Sequence, residues 1–514
     1  MTNTNLSIAQ HYHQRTKYDP QTLQKRQKTL DWSQQPSPFK EYKIGTSIPL
    51  KDYLNTSQEQ LGNDAKQIWW QRLSRLLYET YGITAKVETI TGEPVYLRAA
   101  PSAGGLYPAE IYLISRGNSF MKPGLYHYQP KNHSLVHFWD SDVWQQLQNA
   151  CFWYPTLSDT QLALVVTAVF FRSQWRYEDR AYRRILLDTG HLLGNLELAG
   201  AIADFRPHFI GGFADRQLNQ MLFLDANQEG VIAAAALADR LELQQNLPPV
   251  RTAFPSATQT NYPDLADGAL LSALHQATQI ETEPAQLSWK PTSETEKRAD
   301  KYNFPFCTKV STATQPINWG KDLQDLEKTI LKRRSTRRYS GETITLEELR
   351  TILHFTYHPQ DYITQGLDRE PDYFDLSLVS TFLAVQGVSD LEDGCYYYAP
   401  KAQELRQIRF KNFRQDLHFL CLGQDLGKDA AAVVFHTADL AKAIDKYGDR
   451  AYRYLHLDAG HLGQRLNLVT IYLNLGVSGI AGFFDDQVNE VLGIPTDEAV
   501  LYITTLGRPV TALA

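Results

Sequence analysis

One domain is written twice in this chain. The segment RYEDRAYRRILLDTGHLLGNLEL at 176–198 returns as KYGDRAYRYLHLDAGHLGQRLNL at 446–468, an offset of 270 residues. The same offset, without gaps, lays HFIGGFADRQLNQML (208–222) over SGIAGFFDDQVNEVL (478–492). Of the 48 positions from 176 to 223, 20 are identical to their counterparts. The offset also puts GLYHYQPK (124–131) on GCYYYAPK (394–401). A period this long marks a duplicated domain and not a solenoid repeat. Two copies are therefore expected, at 45–245 and 318–514. Residues 1–44 read as an arm that packs on something larger. Residues 246–317, rich in Thr, Pro, Gln and Ser and weakly periodic, read as a linker.

Each copy mixes helices and strands. TLEELRTILHFTY (345–357) has helical spacing, and Thr345 with Glu348 forms a capping box. AEIYLIS, QLALVVTAVF and AAVVFHTA read as strands, and VLYITTLGRP as a closing strand. LDAGHLGQRLNLVTIYLNLG reads as a long helix buried on most sides. The pattern predicts an α+β fold in which each copy is a central sheet covered by helices.

A net charge of −6 argues against a general polyanion binder, so neither nucleic acid nor a membrane surface is expected as a partner. No apolar run is long enough to span a bilayer. The four cysteines, Cys151, Cys307, Cys395 and Cys421, have no zinc spacing and read as reduced residues of a cytoplasmic protein.

The copies differ in an orderly way. Copy two carries RRSTR (333–337), while the corresponding SQEQL (57–61) of copy one has no positive charge. Copy two ends in LYITTLGRP with Arg508, whereas VIAAAALAD of copy one has no basic residue there. Conversely, copy one carries PSAGGLYP (101–108) where copy two has PDYFDLSL (371–378). Arg333, Ser335 and Arg337 alternate along an extended stretch and so share a side, a good arrangement for an anion. The small residues of PSAGG allow close backbone approach to a flat ligand.

The RRSTR box, the PSAGG run, the KYGDRAYRY…DAGH helix and the terminal GR together resemble the FMN-dependent nitroreductase superfamily, most closely its SagB-type dehydrogenase branch. The resemblance implies a central, largely antiparallel sheet in each copy, with the copies packed as an intramolecular pseudo-dimer. It also implies one composite FMN site where the superfamily's homodimers have two. Arg333, Ser335, Arg337 and Arg508 would hold the phosphate and ribityl chain. Pro101, Ser102, Ala103 and Gly105 would face the ring, and Ala481 and Gly482 would offer a backbone N–H to flavin N5. Lys446 and Tyr447 would be the catalytic pair; copy one has Arg176 and Tyr177 there, and arginine is no base at neutral pH. The expected activity is hydride transfer to or from a small or peptide-derived substrate. The alternatives are an NAD(P)H-dependent nitro or quinone reductase and a non-catalytic flavin-binding protein. No metal site is expected. His191, His461, Asp188 and Asp458 occur in both copies and are expected to be structural.

Overall fold

The computed structural model describes residues 6–25, 30–55, 63–88, 94–243, 247, 250–283 and 300–510. It contains two seven-stranded sheets of the same topology. The first runs, edge to edge, Thr46–Pro49, Ser134–Trp139, Gly124–Gln129, Ala109–Ser115, Leu162–Val169, Glu229–Asp239 and Phe205–Ile210. The second runs Lys309–Ser311, Glu404–Arg409, Gly394–Ala399, Ser380–Val385, Ala432–Asp439, Glu498–Gly507 and Gly476–Ile480. Every pairing within both sheets is antiparallel. Even the irregularities repeat: register shifts at Leu125/Tyr126 and Val166/Thr167 recur at Cys395/Tyr396 and His436/Thr437, 270 residues on. The expected α+β class and pseudo-dimer are therefore present. The edge strand Lys309–Ser311 falls inside the span read as linker.

The halves meet along two long helices, Ala181–Ile202 and Ala451–Tyr472, which are buried on nearly every side. Their crossing point is a pair of glycines. A Cβ on Gly190 would stand 2.3 Å from the Leu457 carbonyl oxygen, and one on Gly460 would stand 2.4 Å from that of Leu187. Only residues without a side chain let two backbones touch this closely. Both contacts repeat at offset 270, so the pseudo-twofold axis passes between these glycines. One hydrophobic core runs through the contact, joining Leu186 and Leu192 of the first half to Tyr454 and Leu455 of the second.

Two buried ion clusters lock the halves reciprocally. Asp485 accepts from Arg180 at 2.7 Å and from Arg183 at 2.6 Å. Asp215 accepts from Arg450 at 2.6 Å and from Arg453 at 2.7 Å. Each aspartate thus bridges two guanidiniums of the other half, one carboxylate oxygen to each, and all six side chains are buried.

The duplication also includes the arm. The helix Ile8–Arg15, opened by a Ser7/Gln10 capping box, has a counterpart in Leu270–Ala277, inside the supposed linker. His13 lies 3.2 Å from the Tyr452 hydroxyl and His275 lies 2.9 Å from that of Tyr182. Arg183 donates to the Thr16 hydroxyl as Arg453 does to that of Thr278. Tyr18 bridges to Phe484 and Ile280 bridges to Ala214, each arm crossing to the other half. HQRT (13–16) and HQAT (275–278) are the sequence trace of this, at an offset of 262 that the main repeat does not share. Among the described residues no helix is long and apolar enough to cross a membrane.

Candidate functional site

The pseudo-twofold produces two crevices, each built from both halves. In the first, Arg333 leaves the end of the helix Gln324–Lys332 in an extended conformation and is 3% exposed. It crosses to the first half, donating from Nε to the Ala99 carbonyl at 2.6 Å and from Nη2 to that of Arg98 at 3.1 Å. These acceptors lie two and three residues before Pro101, so the basic box packs on the segment that leads into the PSAGG run. Burial lowers the Arg333 pKa to about 10, and its Nη1 is buried without a partner. The Thr336 N–H donates to the Val477 carbonyl and its hydroxyl accepts from the Val477 N–H. That double bond fixes the box on the strand Gly476–Ile480, whose end leads into Ala481 and Gly482. Ser335 is half-buried and Arg337 exposed, and neither side chain makes a hydrogen bond or ion pair among the described residues.

The facing loop is shaped by a carboxylate. Asp188 accepts from the Ser102 hydroxyl at 2.5 Å and from the Ala103 N–H at 3.1 Å. The Ser102 oxygen in turn accepts from the Tyr107 N–H at 2.9 Å. Gly104 and Gly105 take φ of +65° and +67°, which a side chain would resist. A Cβ on Gly104 would lie 2.7 Å from the Tyr177 hydroxyl, whereas one on Gly105 would meet open space. Burial pushes the Asp188 carboxyl up to about 7 despite its donors. Asp188, expected to be a structural hydrogen-bonding residue, sets the conformation of this loop. His191 reaches the Tyr502 hydroxyl at 3.2 Å and the Leu187 carbonyl at 2.8 Å, as a satisfied core histidine does.

Beyond the loop stands a cationic wall that the repeat pattern did not suggest. The Arg184 guanidinium stacks 3.9 Å from the Tyr177 ring centre, and that of Arg180 lies 4.2 Å from the Tyr18 ring centre. Arg180 also donates to the Ala481 carbonyl at 3.4 Å. Arg184 Nη1 and Arg180 Nη2 are buried without partners. A Cβ on Gly482 would meet Leu422 at 3.2 Å and Arg184 at 3.7 Å. Contacts thus run from Arg333 through the loop at 98–105, Tyr177 and Arg184 to Gly482, with Arg180 reaching the neighbouring Ala481 carbonyl.

The structure separates Lys446 and Tyr447 from that crevice. Both donate to Asp375 Oδ2, at 2.7 and 2.9 Å, on the copy-two loop that replaces PSAGG. Asp458 anchors this loop through the Phe374 and Asp375 N–H groups. The reason is topological: the last turn of the helix Leu440–Tyr447 faces the loop of its own half, and the basic box crosses to the opposite half. The pair at the first crevice is Arg176–Tyr177. Arg508 is also occupied elsewhere, donating to both oxygens of Glu348 at 3.0 and 2.9 Å and to the Thr343 carbonyl.

The second crevice is plugged. Phe374 stacks on Tyr454, and a Cβ on Gly211 would strike its ring at 2.6 Å; a Cβ on Gly212 would strike the Phe254 ring at 2.1 Å. Gly211 and Gly212 are the counterparts of Ala481 and Gly482. A cavity of about 640 Å³ remains beside the plug, lined by Tyr357, His358, Arg369 and Lys401 among others. The SQEQL segment that would face it lies outside the described residues.

An anionic, planar cofactor fits the first crevice by its chemistry. Three orphaned buried guanidinium nitrogens want acceptors, Ser335 and Arg337 add donors, and two glycines leave the backbone bare. Among the described residues, no group of three or more His, Cys, Asp or Glu could hold a metal ion.

Comparison with known proteins agrees with this architecture. The Nitroreductase family model matches residues 68–238 and 330–508, more than half of the chain. "Putative nitroreductase MJ1384" of Methanocaldococcus jannaschii is 30% identical over 185 residues, 36% of this chain and 91% of that protein. The Microcin B17-processing protein McbC of Escherichia coli is 27% identical over 134 residues, 25% of this chain and 49% of that protein. A 1.80 Å crystal structure of an Anabaena variabilis protein that carries the same provisional nitroreductase name is 65% identical. It superposes with a TM-score of 0.93, covering 98% of this chain and 100% of that one. Two matched segments, two like sheets and a whole-chain relative lead to one conclusion: this chain belongs to the nitroreductase family.

Proposed function

We propose that the chain is an FMN-dependent oxidoreductase that works through the first crevice alone. The observation that carries this reading is the crossing of Arg333, whose Nη1 is left without an acceptor where box and loop meet. Arg333, Ser335 and Arg337 would hold the phosphate. The loop Pro101–Ala103 with Gly105 would face one side of the ring, and the backbone of Ala481 and Gly482 would face N5. A bound flavin would supply two-electron hydride chemistry. The chain's own part is to hold the ring by backbone contact and to exclude water with Leu422 and Tyr177. Arg180 and Arg184 place positive charge where negative charge would grow.

Of the finer readings, one residue favours reduction by NAD(P)H of a quinone or nitro compound over SagB-type oxidation. The SagB-type reading calls for a lysine base beside the flavin. At this crevice that place belongs to Arg176, and a guanidinium is no general base. Lys446 is engaged with Asp375 at the plugged crevice. The similarity to McbC supports a common ancestry for the site and extends to about half of that protein. The test is anaerobic mixing of the flavin-loaded protein with NADPH. Rapid bleaching supports the reductase. Bleaching only with a peptide-derived heterocycle supports the SagB-type oxidase, and protein that never takes up flavin supports the non-catalytic alternative.

A further inference from the structure

The arm brings a tyrosine to the first crevice and an isoleucine to the second. Tyr18 bridges to Phe484, and its N–H donates to Asp485 Oδ2 at 3.0 Å. The Asp485 N–H returns a bond to the Tyr18 carbonyl at 3.3 Å. At the plugged crevice Ile280 makes the same two backbone bonds with Asp215. Backbone and anchor are therefore conserved between the arms, and only the side chain differs. The surroundings differ to match. Tyr18 has the Arg180 guanidinium 4.2 Å from its ring centre, and Arg184 comes to the same glycine as the phenol ring, 3.7 Å from a Cβ placed on Gly482. The position equivalent to Arg184 is Tyr454, which is stacked under Phe374. A Cβ on Gly482 would lie 4.0 Å from Tyr18 Cε2, so the phenol stands beside the backbone proposed to face the flavin.

We propose that Tyr18 is the proton-carrying residue of the first crevice, taking the place left by the absent lysine. This rests on the flavin reading above. A conjugated carbonyl substrate that receives hydride at one carbon needs a proton on its oxygen. The Tyr18 O–H bond breaks as the new O–H bond forms, and the electron pair stays on the phenolate. Arg184 and Arg180 hold that phenolate until water reprotonates it. The two electrons of the hydride come ultimately from a reduced nicotinamide in solution. Two facing guanidiniums make this feasible. Burial alone would raise the phenol pKa, but Arg184 and then Arg180 outweigh it, so the group ionises more readily than a free tyrosine. The other charged groups facing the ring from the packed elements are Arg183 and Asp485; Asp485 is shared between Arg183 and Arg180, one oxygen to each, so the cluster keeps a net positive charge beside the phenol.

The test is Tyr18→Phe, which keeps the ring, the stack on Arg180 and both backbone bonds to Asp485. The probes are NADPH and a water-soluble benzoquinone. We expect full flavin content, a quinone-reduction step slower by roughly 100-fold or more, and a pH profile that loses one ionisation. An ultraviolet phenolate titration, which needs no cofactor, should show one early-ionising tyrosine in the wild type that the variant lacks. Normal flavin content with an unchanged rate and pH profile overturns the assignment to Tyr18 and leaves the composite site standing. So does a titration with no early phenol. Loss of flavin from the variant also overturns it, because Tyr18 would then be holding the cofactor. Wild-type protein that takes up no flavin would instead remove the reading beneath the proposal.

Discussion

Asp485 and Asp215 should be equal in stability and unequal in function. Each is at most 2% exposed and each bridges two guanidiniums of the opposite half at 2.6–2.7 Å. Substituting Asp485→Asn or Asp215→Asn leaves two buried cations without a counter-charge. Breaking a buried pair this way costs about 3–5 kcal/mol. For a domain the size of one half, that lowers Tm by roughly 6–20 °C. The consequences then diverge. Asp485 also holds Tyr18 and positions Arg180 against the Ala481 carbonyl, whereas Asp215 supports only the plugged crevice. Flavin content, read from visible absorbance per chain below both melting temperatures, should fall in Asp485→Asn and stay whole in Asp215→Asn. The arginines hold the Asp485 pKa below its ordinary value against the effect of burial. A depressed carboxyl stabilises above its unfolded pKa, and that share is lost as pH falls through the folded one, so the Asn variant should lose part of its acid sensitivity. Equal flavin loss in the two variants, or none in either, would refute the division of labour between the crevices.

Three further outcomes are expected. Arg333→Met combined with Arg337→Ala removes two charge-assisted contacts of about 1.5–3 kcal/mol each, weakening FMN binding by roughly 100- to 10,000-fold in a fluorescence titration. Lys446→Ala should leave flavin content and turnover unchanged, since its partner is Asp375 at the plugged crevice; a large fall in turnover at full flavin content would return it to the chemistry. Asp188, pushed up to about 7 by burial, binds a proton in the folded state that the unfolded chain has released, so stability should decline as pH rises from about 4 to 7. Asp188→Asn should flatten that slope in thermal melts.

Much of this was legible in the repeat. The 270-residue offset gives the two sheets, the long helices and their glycine crossing, because a duplicated pseudo-dimer must place equivalent residues on its axis. Complementary loss of box and loop pointed to one composite crevice, and Arg333 does reach the residues just ahead of Pro101. The Lys446–Tyr447 assignment was not decidable from sequence. A homodimer carries that pair at both sites, and only the chain's path shows that it faces the loop of its own half while the box crosses over. Arg508 looked available as a cation, yet the capping Glu348 takes it. The second arm was hidden by its different offset, with His275, Gln276 and Thr278 the only clear trace. Arg180 and Arg183 lay within the quoted repeat, but their role depends on one aspartate, Asp485, 305 and 302 residues away in sequence.

The central claim is that two half-sites from opposite halves make one flavin site and that its twin is closed by Phe374 and Phe254. Titrating the flavin-free chain with FMN and counting bound flavin per chain tests it most directly. The account predicts one. Two per chain would mean that the plugged crevice still binds, and none would mean that Arg333 and the loop at 101–105 meet for another reason.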